Sequence, residues 1–309
     1  VVKSEKDIFF IKNHTPNVNT FYLKDRLSGK KIDFEAFKKA SKYSLVAMNK
    51  RYGDKLWDIP LEISGESDVV WMGAIGNTII IQSIFQNNMS VFAYDVLERN
   101  LLWETSFYIS SLYTTYDLTP AFYNGYLLLP LDDKIEYINA ENGSRSGTYT
   151  NEDIDQIFFF NENSIQDNTM KFFIDAYVYE YIVVDLDKNL KIAGGFLDLE
   201  NPERGLWINN IFVDVSSSGI VTVYESPLAG ENEPAILWRK DYNASLELLE
   251  VDKQNTYLLN KDNNCVYKVS TPFGKEIEKT RLLWPGDNVE IRSQYFIVQS
   301  GNKLYVLPI

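Results

Sequence analysis

The sequence places carboxylate side chains between short apolar runs, and two kinds of chemistry would use them. An adjacent pair such as Asp132 and Asp133 offers the oxygen ligands that Ca²⁺ prefers. Two carboxylates that face each other across a channel could serve as the acid and the nucleophile of glycoside hydrolysis. The chain lacks the spaced D-x-D-x-D-G pattern of a calcium loop, and any acidic protein offers pairs of carboxylates. Calcium binding is therefore weakly supported, and glycan hydrolysis stays an alternative.

The composition excludes several classes of site. The 309 residues contain one histidine, His14, and one cysteine, Cys265. This excludes an internal disulfide, a cysteine-based zinc site and most metal hydrolases. The formal net charge of −13 opposes binding to nucleic acid and favours cations or a basic partner. No apolar run approaches the roughly 20 residues of a transmembrane helix. We therefore predict no cofactor, no nucleic-acid partner and no transmembrane segment.

Strand-like segments that recur at a regular distance must position the carboxylates. Aligned at the end of each candidate third strand, the repeats end at Asn49, Asp95, Asn139, Asp185, Glu225, Ser270 and Ile309. Successive ends lie 46, 44, 46, 40, 45 and 39 residues apart, which is typical of propeller blades. Most of these ends follow two earlier strand-like segments and precede a fourth. The sequence predicts an all-β, seven-bladed β-propeller of four-stranded antiparallel blades, forming a single domain over residues 1–309.

The first and last repeats depart from this pattern. The last repeat ends directly after its third strand, so residues 1–4 are predicted to supply its fourth strand and close the ring. The first repeat contains strand-like segments at 7–13 and 19–25, followed by an insertion at about 26–43. Within the insertion, Asp33 is a suitable N-cap, and Phe34 and Phe37 have helical spacing. We expect a short helix on the rim, and a partner-binding element is the alternative.

Three repeats resemble the PQQ-like β-propeller superfamily, whose signature is Ala-x-Asp, a turn with glycine, and a tryptophan that closes the fourth strand. The matching residues are Ala47, Asn49, Gly53 and Trp57, then Ala93, Asp95 and Trp103, then Asn139, Asn142 and Gly143. The resemblance implies a non-catalytic binding scaffold, as in the branch that contains the bacterial outer-membrane-assembly propeller lipoprotein. The quinone cofactor of larger members is not expected, because a single cysteine cannot form their adjacent cysteine pair.

Two sets of residues are candidates for binding. In a propeller, the loops between blades share one face with the loops that join second and third strands, and loops on a rigid scaffold often carry binding sites. The acidic candidates in these loops are Glu66, Asp68, Asp117, Asp132, Asp133 and Asp153. First strands near the predicted central channel contain two further candidates, Trp71 and Trp207. Packing between blades is expected instead for the recurring Trp57, Trp103, Trp238 and Trp284.

These observations together predict a binding function. We expect a monomeric, non-catalytic scaffold that binds a protein partner of basic character through the acidic loop face. The alternatives are a glycan-active enzyme, hydrolase or lyase, that uses channel carboxylates, and a carbohydrate-binding module that uses exposed aromatic side chains. The resemblance implies an extracytoplasmic location, whether periplasmic, cell-surface or secreted, with a lipid anchor on a removed N-terminal segment as one arrangement. A cytoplasmic location is the alternative.

Overall fold

Seven antiparallel β-sheets account for the strands of the chain. The computed structural model describes residues 2–3, 7–14, 42–110, 118–150, 156–176, 178–196, 202–208, 211–216, 218–225, 235–282, 288–292, 295–300 and 303–308. The chain divides into two compact units, Val1–Thr150 with three sheets and Asn151–Ile309 with four. Each sheet is one blade, and the fold class is the predicted seven-bladed β-propeller. Within the described ranges, helical structure is limited to one 3₁₀ turn, Glu162–Ser164.

The first unit contains three four-stranded blades, and in each blade neighbouring strands follow one another along the chain. Blade 1 consists of β1 (Val2–Lys3), β2 (Asp7–His14), β3 (Lys42–Asn49) and β4 (Lys55–Pro60). Blade 2 consists of β5 (Asp68–Ile75), β6 (Thr78–Phe85), β7 (Asn88–Asp95) and β8 (Asn100–Tyr108). Blade 3 consists of β9 (Ala121–Tyr123), β10 (Tyr126–Pro130), β11 (Ile135–Asn139) and β12 (Arg145–Tyr149).

The second unit contains four blades. Blade 4 consists of β13 (Gln156–Phe159), β14 (Ile165–Gln166), β15 (Thr169–Ala176), β16 (Val178–Asp185) and β17 (Leu190–Phe196), with β13 and β14 both paired to β15. Blade 5 consists of β18 (Pro202–Ile208), β19 (Ile211–Ser216), β20 (Ile220–Glu225) and β21 (Ala235–Asp241). Blade 6 consists of β22 (Leu246–Val251), β23 (Asn255–Asn260), β24 (Cys265–Ser270) and β25 (Glu276–Arg281). Blade 7 consists of β26 (Asn288–Arg292), β27 (Tyr295–Ser300) and β28 (Lys303–Pro308).

The core of the first unit lies between its blades, and β6 shows how the sequence specifies it. This strand is rich in isoleucine and bounded by turns, as expected for a strand buried on both faces. Ile79 and Ile81 pack into a cluster with blade 1, whereas Ile80 and Ile84 pack into a cluster with blade 3. Full burial of such a side chain contributes about 1.5–3 kcal/mol. The alternation of side chains along one strand therefore joins three neighbouring blades.

The turn between the third and fourth strands has the same construction in all three blades of the first unit. Asn49, Asp95 and Asn139 end the third strands, and the Oδ1 atom of each accepts hydrogen bonds from the N–H groups two and three residues later. An Asx turn of this kind explains why Asn or Asp recurs at these ends. We call this end of the unit, residues 49–55, 95–100 and 139–145, the turn edge.

Two of the recurring tryptophans connect one blade to the next. Trp103 on β8 donates its Nε1–H to the carbonyl oxygen of Ala140 in blade 3, at 3.1 Å. Its ring covers Gly143, where an added Cβ would lie 2.6 Å from a ring carbon. Trp238 in blade 5 makes the equivalent bond to the carbonyl oxygen of Thr271 in blade 6, at 2.6 Å. The predicted packing role is confirmed for these two tryptophans. Of the other two, Trp57 packs against Phe9, and Trp284 lies outside the described residues.

The fourth strands of blades 1 to 6 carry a β-bulge where they pair with the third strand. In blades 1, 2 and 5 the extra residue directly precedes the tryptophan. The extra residue is aliphatic and exposed in four blades, as Leu56, Leu102, Leu237 and Ile277. A bulge bends an edge strand and hinders its pairing with another chain. The bulge therefore protects the edge while it places an aliphatic side chain at the surface.

The first described residues of the chain form a strand of blade 1. Ring closure by residues 1–4 is not shown. Val2 and Lys3 instead pair with Phe9 and Ile8 inside blade 1, and blade 7 has three strands within the described residues. The connection from β1 to β2 spans only three residues, so closing it costs little conformational entropy, which favours the local pairing.

Because β1 takes the first position in blade 1, β2 is the second strand rather than the first. It pairs along its whole length with β3, from Asp7 opposite Asn49 to His14 opposite Lys42. The segment at 19–25, predicted to be a strand of blade 1, lies outside the described residues, as does the predicted insertion up to residue 41. The last two positions assigned to that insertion, Lys42 and Tyr43, belong to β3.

Candidate functional site

Four of the predicted acidic residues lie at one end of the first unit, opposite the turn edge. Asp68 begins β5, and Glu66 lies in the connection from β4 to β5. Asp132 and Asp133 lie in the turn between β10 and β11. The antiparallel order of strands places the starts of first strands, the turns between second and third strands, and the ends of fourth strands at the same end of each blade. We call Glu62, Glu66, Asp68, Asp132 and Asp133 the acidic edge.

The connection from β4 to β5 is fixed to the blades on either side. Leu61 and Ile63 are buried, and the Leu61 N–H donates to the carbonyl oxygen of Tyr43 at 2.9 Å. The hydroxyl of Tyr43 donates to the carbonyl oxygen of Ser67 at 2.8 Å. The N–H of Glu62 donates to the hydroxyl oxygen of Tyr94, on β7, at 3.1 Å. The acidic side chains of this connection are therefore carried by a well-anchored backbone.

The carboxylates of the acidic edge influence the buried tyrosines beneath them. Burial raises the pKa of Tyr43, and the charge of Asp68 adds to this rise. Burial likewise raises the pKa of Tyr94; a hydrogen bond from the Glu62 backbone opposes the rise, and the charge of Glu62 adds to it. Both hydroxyls stay protonated at neutral pH and retain their hydrogen-bonding roles.

Asp132 differs from its neighbours because its carboxylate is used inside the structure. Its Oδ2 accepts hydrogen bonds from both the N–H and the hydroxyl of Ser110, each at 2.5 Å. Ser110 follows β8, so this pair of bonds joins the edges of blades 2 and 3. Asp133, by contrast, is exposed, and it forms no ion pair with any described residue. Asp132 positions the edge, while Asp133 is available to a partner.

Trp71 packs within the first unit. Its ring centroid lies 5.9 Å from that of Phe122 on β9, and its ring covers Gly73, where an added Cβ would lie 2.4 Å from a ring carbon. The half-buried ring joins the core cluster between blades 2 and 3. This packing is a structural role, and the ligand contact predicted for Trp71 stays a prediction.

The other sequence candidates are not brought to the acidic edge by the described structure. Asp117 and Asp153 lie outside the described residues. Trp207 belongs to β18 of the second unit, where its backbone lies opposite Phe212. Their binding roles stay predictions.

Tyr108 is a residue of the acidic edge that sequence reasoning missed. It ends β8, two residues before Ser110, and its side chain is 74% exposed. A signal was present, because neighbouring residues of a strand point to opposite sides and the preceding Phe107 is buried. Exposed tyrosine is common at the centre of protein interfaces. Tyr108 therefore adds an aromatic anchor beside the carboxylates.

The second unit has a separate acidic feature between β22 and β26. A cavity of about 350 Å³ is lined by Glu247, Glu250 and Glu290 together with aliphatic side chains. Glu247 is paired with Lys261, at 3.0 Å between the carboxylate oxygen and Nζ.

Neither a metal-binding cluster nor a membrane-spanning helix occurs among the described residues. They contain no group of three or more His, Cys, Asp or Glu residues arranged to hold a metal ion. They also contain no helix that is both long enough and apolar enough to cross a membrane.

Comparison with known proteins shows a likeness at the level of fold. No protein-family model matches the chain, and no curated protein matches it. A crystal structure of BamB from Moraxella catarrhalis is 14% identical, with a TM-score of 0.56 over 84% of this chain and 78% of BamB. The computationally designed Ika8 protein is 10% identical, with a TM-score of 0.52 over 87% of this chain and 93% of Ika8. A chain of the Mitotic Checkpoint Complex is 9% identical, with a TM-score of 0.56 over 87% of this chain and 84% of that one.

Proposed function

We propose that this protein is a non-catalytic β-propeller scaffold that binds a basic segment of a partner protein through the acidic edge. One observation carries the proposal. Glu62, Glu66, Asp68 and Asp133 form no ion pair within the described residues, although they lie on backbone that is anchored to its neighbours. Uncompensated charge on a rigid support attracts an oppositely charged partner.

Simple electrostatics supports a partner with lysine or arginine. Four carboxylates on one edge, in a chain of net charge −13, raise the rate of encounter with a cation at low ionic strength. Exposed ion pairs alone contribute about 0–1 kcal/mol each, so affinity also requires apolar contact. The exposed ring of Tyr108 supplies such a contact at the same edge.

The likenesses of fold agree with a binding role. One structural neighbour is a chain of the Mitotic Checkpoint Complex, an assembly of proteins. The resemblance to PQQ-like repeats adds the scaffold precedent, and the contact of Trp103 with the next blade supports that resemblance. An extracytoplasmic location belongs to the same proposal, and the resemblance to PQQ-like repeats supports it.

The test compares partner capture by matched variants of the whole chain. The first variant neutralises the acidic edge with Glu62→Gln, Glu66→Gln, Asp68→Asn and Asp133→Asn. The control makes the same change in charge at exposed carboxylates elsewhere, with Asp54→Asn, Glu98→Gln, Glu141→Gln and Glu278→Gln. Proteins captured from extract of the source cells are quantified by mass spectrometry at two salt concentrations.

We expect the first variant to capture at least tenfold less of the most abundant salt-sensitive partner than the wild type does. The control should capture as much as the wild type. That partner should contain a lysine- or arginine-rich segment that binds the purified wild-type chain. Equal capture by both variants would overturn the proposal, as would a partner without such a segment.

A further inference from the structure

Blade 7 differs from the other six blades at its third strand, β28. In blades 1 to 6 the third strand pairs with a fourth strand on its outer side. β28 pairs with β27 on one side, and no described strand pairs with its other side. Every described strand already belongs to a blade. Among the described residues, β28 is therefore an edge strand with an open outer side.

The pairing of β28 with β27 is regular along its whole length. It runs from Tyr295 opposite Pro308 to Ser300 opposite Lys303 without a bulge. The outermost strands of blades 1 to 6 all carry a bulge, which bends the edge and hinders pairing with another chain. β28 lacks this protection, so its edge is regular enough to accept a further strand.

The register identifies backbone groups of β28 that face outward. In an antiparallel pair, opposed residues that exchange both hydrogen bonds alternate with opposed residues that exchange none. Pro308 has no N–H, so its pair with Tyr295 cannot exchange both bonds and is of the second kind. By alternation, the pair of Val306 with Ile297 is also of the second kind. The N–H and C=O groups of Val306 therefore point away from β27, toward the open edge.

The side chains of β28 alternate between a packed face and an exposed face. Tyr305 and Leu307 pack against the cluster between blades 6 and 7. Val306 lies between them on the opposite face, and it is 58% exposed. A strand added beside β28 would place its own alternate side chains next to Tyr305 and Leu307, because neighbouring strands pack pairwise on each face. The added strand would then enlarge this cluster.

The fourth strands of this chain show what kind of segment fits such an edge. β8 alternates exposed side chains with inward ones, and its Trp103 and Phe107 are buried. β4 alternates in the same way, with Trp57 and Ile59 half-buried. Both strands are extended and place apolar side chains at every second position. A segment with this pattern is the natural occupant of an open third strand.

We propose that β28 binds an extended segment of a partner protein, which adds to blade 7 as an antiparallel fourth strand. The segment has apolar side chains at alternate positions, and these lie beside Tyr305 and Leu307. Backbone hydrogen bonds to Val306 supply affinity, and the alternate side chains supply specificity. Lys303 and Pro308 flank the edge and limit pairing to a short segment. This site does not depend on the acidic edge, which belongs to the other unit.

Other occupants fit less well. Two copies of β28 have complementary backbone groups, but each chain has a net charge of −13, and two such chains repel each other at low salt. A short partner segment brings only a few charges of its own. The first described strand of this chain is already used, because Val2 and Lys3 pair with Phe9 and Ile8 in blade 1. Any other segment of the chain at this edge would protect the Val306 amide from hydrogen exchange in the free protein.

The probe is a labelled synthetic peptide with the sequence of β8, Asn100–Tyr108, which has the required alternation. Fluorescence anisotropy measures its binding to the whole chain, beside the same peptide with N-methyl groups on alternate backbone nitrogens. The wild type is compared with Val306→Pro, which removes the outward N–H, and with the matched control Val306→Thr, which keeps it. Thermal unfolding checks that both variants fold. Hydrogen exchange, read by NMR, follows the Val306 amide in the wild type.

We expect the wild type and Val306→Thr to bind the unmodified peptide with similar affinity. Val306→Pro should bind it at least tenfold more weakly, and the N-methylated peptide should bind the wild type as weakly. This second comparison stays decisive if Val306→Pro does not fold. The Val306 amide should exchange rapidly in the free chain and at least tenfold more slowly with the peptide bound.

Three results would overturn the proposal. The first is equal binding of the unmodified and the N-methylated peptide by the wild type, or no binding of either. The second is equal binding of the unmodified peptide by the wild type and a folded Val306→Pro. The third is a Val306 amide that is already protected in the free chain, because a segment of this chain or a second copy would then cover the edge.

Discussion

The two ends of the first unit use carboxylates in opposite ways. At the turn edge, Asp95 binds the N–H groups of its own turn and Asp58 pairs with a lysine. At the acidic edge, Glu62, Asp68 and Asp133 are exposed and form no ion pair among the described residues. Asp95 is therefore structural, whereas Glu62, Asp68 and Asp133 are not used in this way; Asp132 at the acidic edge and the exposed Asp54 and Glu98 at the turn edge are exceptions.

The difference follows from what each end must do for the fold. The turn edge reverses the chain tightly within each blade, and every reversal needs its N–H groups satisfied, so the repeat keeps Asn or Asp there. The acidic edge contains connections between blades, which have more freedom in sequence. A connection can be held by a buried side chain, such as that of Leu61, and by a hydrogen bond, such as the one that the Tyr43 hydroxyl donates. Apart from Asp132, the carboxylates of the acidic edge form no ion pair among the described residues.

The largest effect should come from the glycines of the turn edge. Gly143→Val should lower the free energy of unfolding by about 4 kcal/mol, because the residue has a φ of 72° and an added Cβ would clash with Trp103. Gly53 has nearly the same φ, 73°, but open space around it, so Gly53→Val should cost about 2 kcal/mol or less. Urea unfolding measures both. Equal losses would show that Trp103 does not depend on Gly143.

The buried charge of Lys171, in the second unit, should have the next largest effect on stability. Lys171 on β15 is 4% exposed, and burial lowers its pKa to about 8 from 10.5. Between about pH 8 and 10.5 the unfolded chain binds more protons at this site, so its contribution makes stability rise with pH. The penalty below pH 8 is about 3 kcal/mol.

The variant Lys171→Met should remove that penalty and flatten the pH profile of unfolding between pH 8 and 10. Its stability at pH 7 should exceed that of the wild type, less whatever is lost with the contact of Nζ to Gln166. Lys253→Met, at an exposed lysine, should change stability by no more than about 0.5 kcal/mol. A wild-type profile that matches that of Lys171→Met would contradict the assignment.

Within the acidic edge, Asp132 and Asp133 should separate structure from binding. Asp132→Ala removes the acceptor of two bonds from Ser110 and should cost about 2 kcal/mol. Asp133→Ala should cost no more than about 0.5 kcal/mol, yet it should weaken capture of a basic partner. Chemical denaturation and the capture assay, run on both variants, distinguish the roles. Similar losses of stability in Asp132→Ala and Asp133→Ala would contradict this difference in role.

The sequence predicted the fold well because the repeat is local. A third strand that ends on Asn49, Asp95 or Asn139 needs only its own turn to be recognised, and Trp103 follows at a short fixed distance. The pairing of β1 with β2 was not predictable in the same way. Residues 1–4 can form an edge strand in any blade with an open edge, and period alone does not choose between them.

The candidate site was predictable only in outline. Sequence placed Asp132 and Asp133 in one loop, but only the bonds from Ser110 give them different roles. The exposed Leu56 and Leu102 precede tryptophans that pack inward, and their exposure depends on bulges set by pairing between strands. A bulge has no reliable sequence signal of its own, so the exposure of Leu56 and Leu102 was visible only in three dimensions.

The smallest effect should test whether the acidic edge carries uncompensated repulsion. Neutralising it with Glu62→Gln, Glu66→Gln, Asp68→Asn and Asp133→Asn should raise the free energy of unfolding by less than about 1 kcal/mol at low salt. At 0.1 M salt, interactions between exposed charges more than about 10 Å apart are largely screened, and the screening length shortens further as salt is added, so the gain should vanish at high ionic strength.

The control with Asp54→Asn, Glu98→Gln, Glu141→Gln and Glu278→Gln should show a smaller gain, because cations such as Lys50 and Arg99 lie at the same turns. Thermal unfolding of both variants across a salt series gives the comparison. If both variants gained equally, net charge alone would govern stability, and the four neutralised carboxylates of the acidic edge would have no special local field. If only the acidic-edge variant gained stability, the repulsion would lie among the carboxylates of the acidic edge. A basic partner would relieve that repulsion on binding.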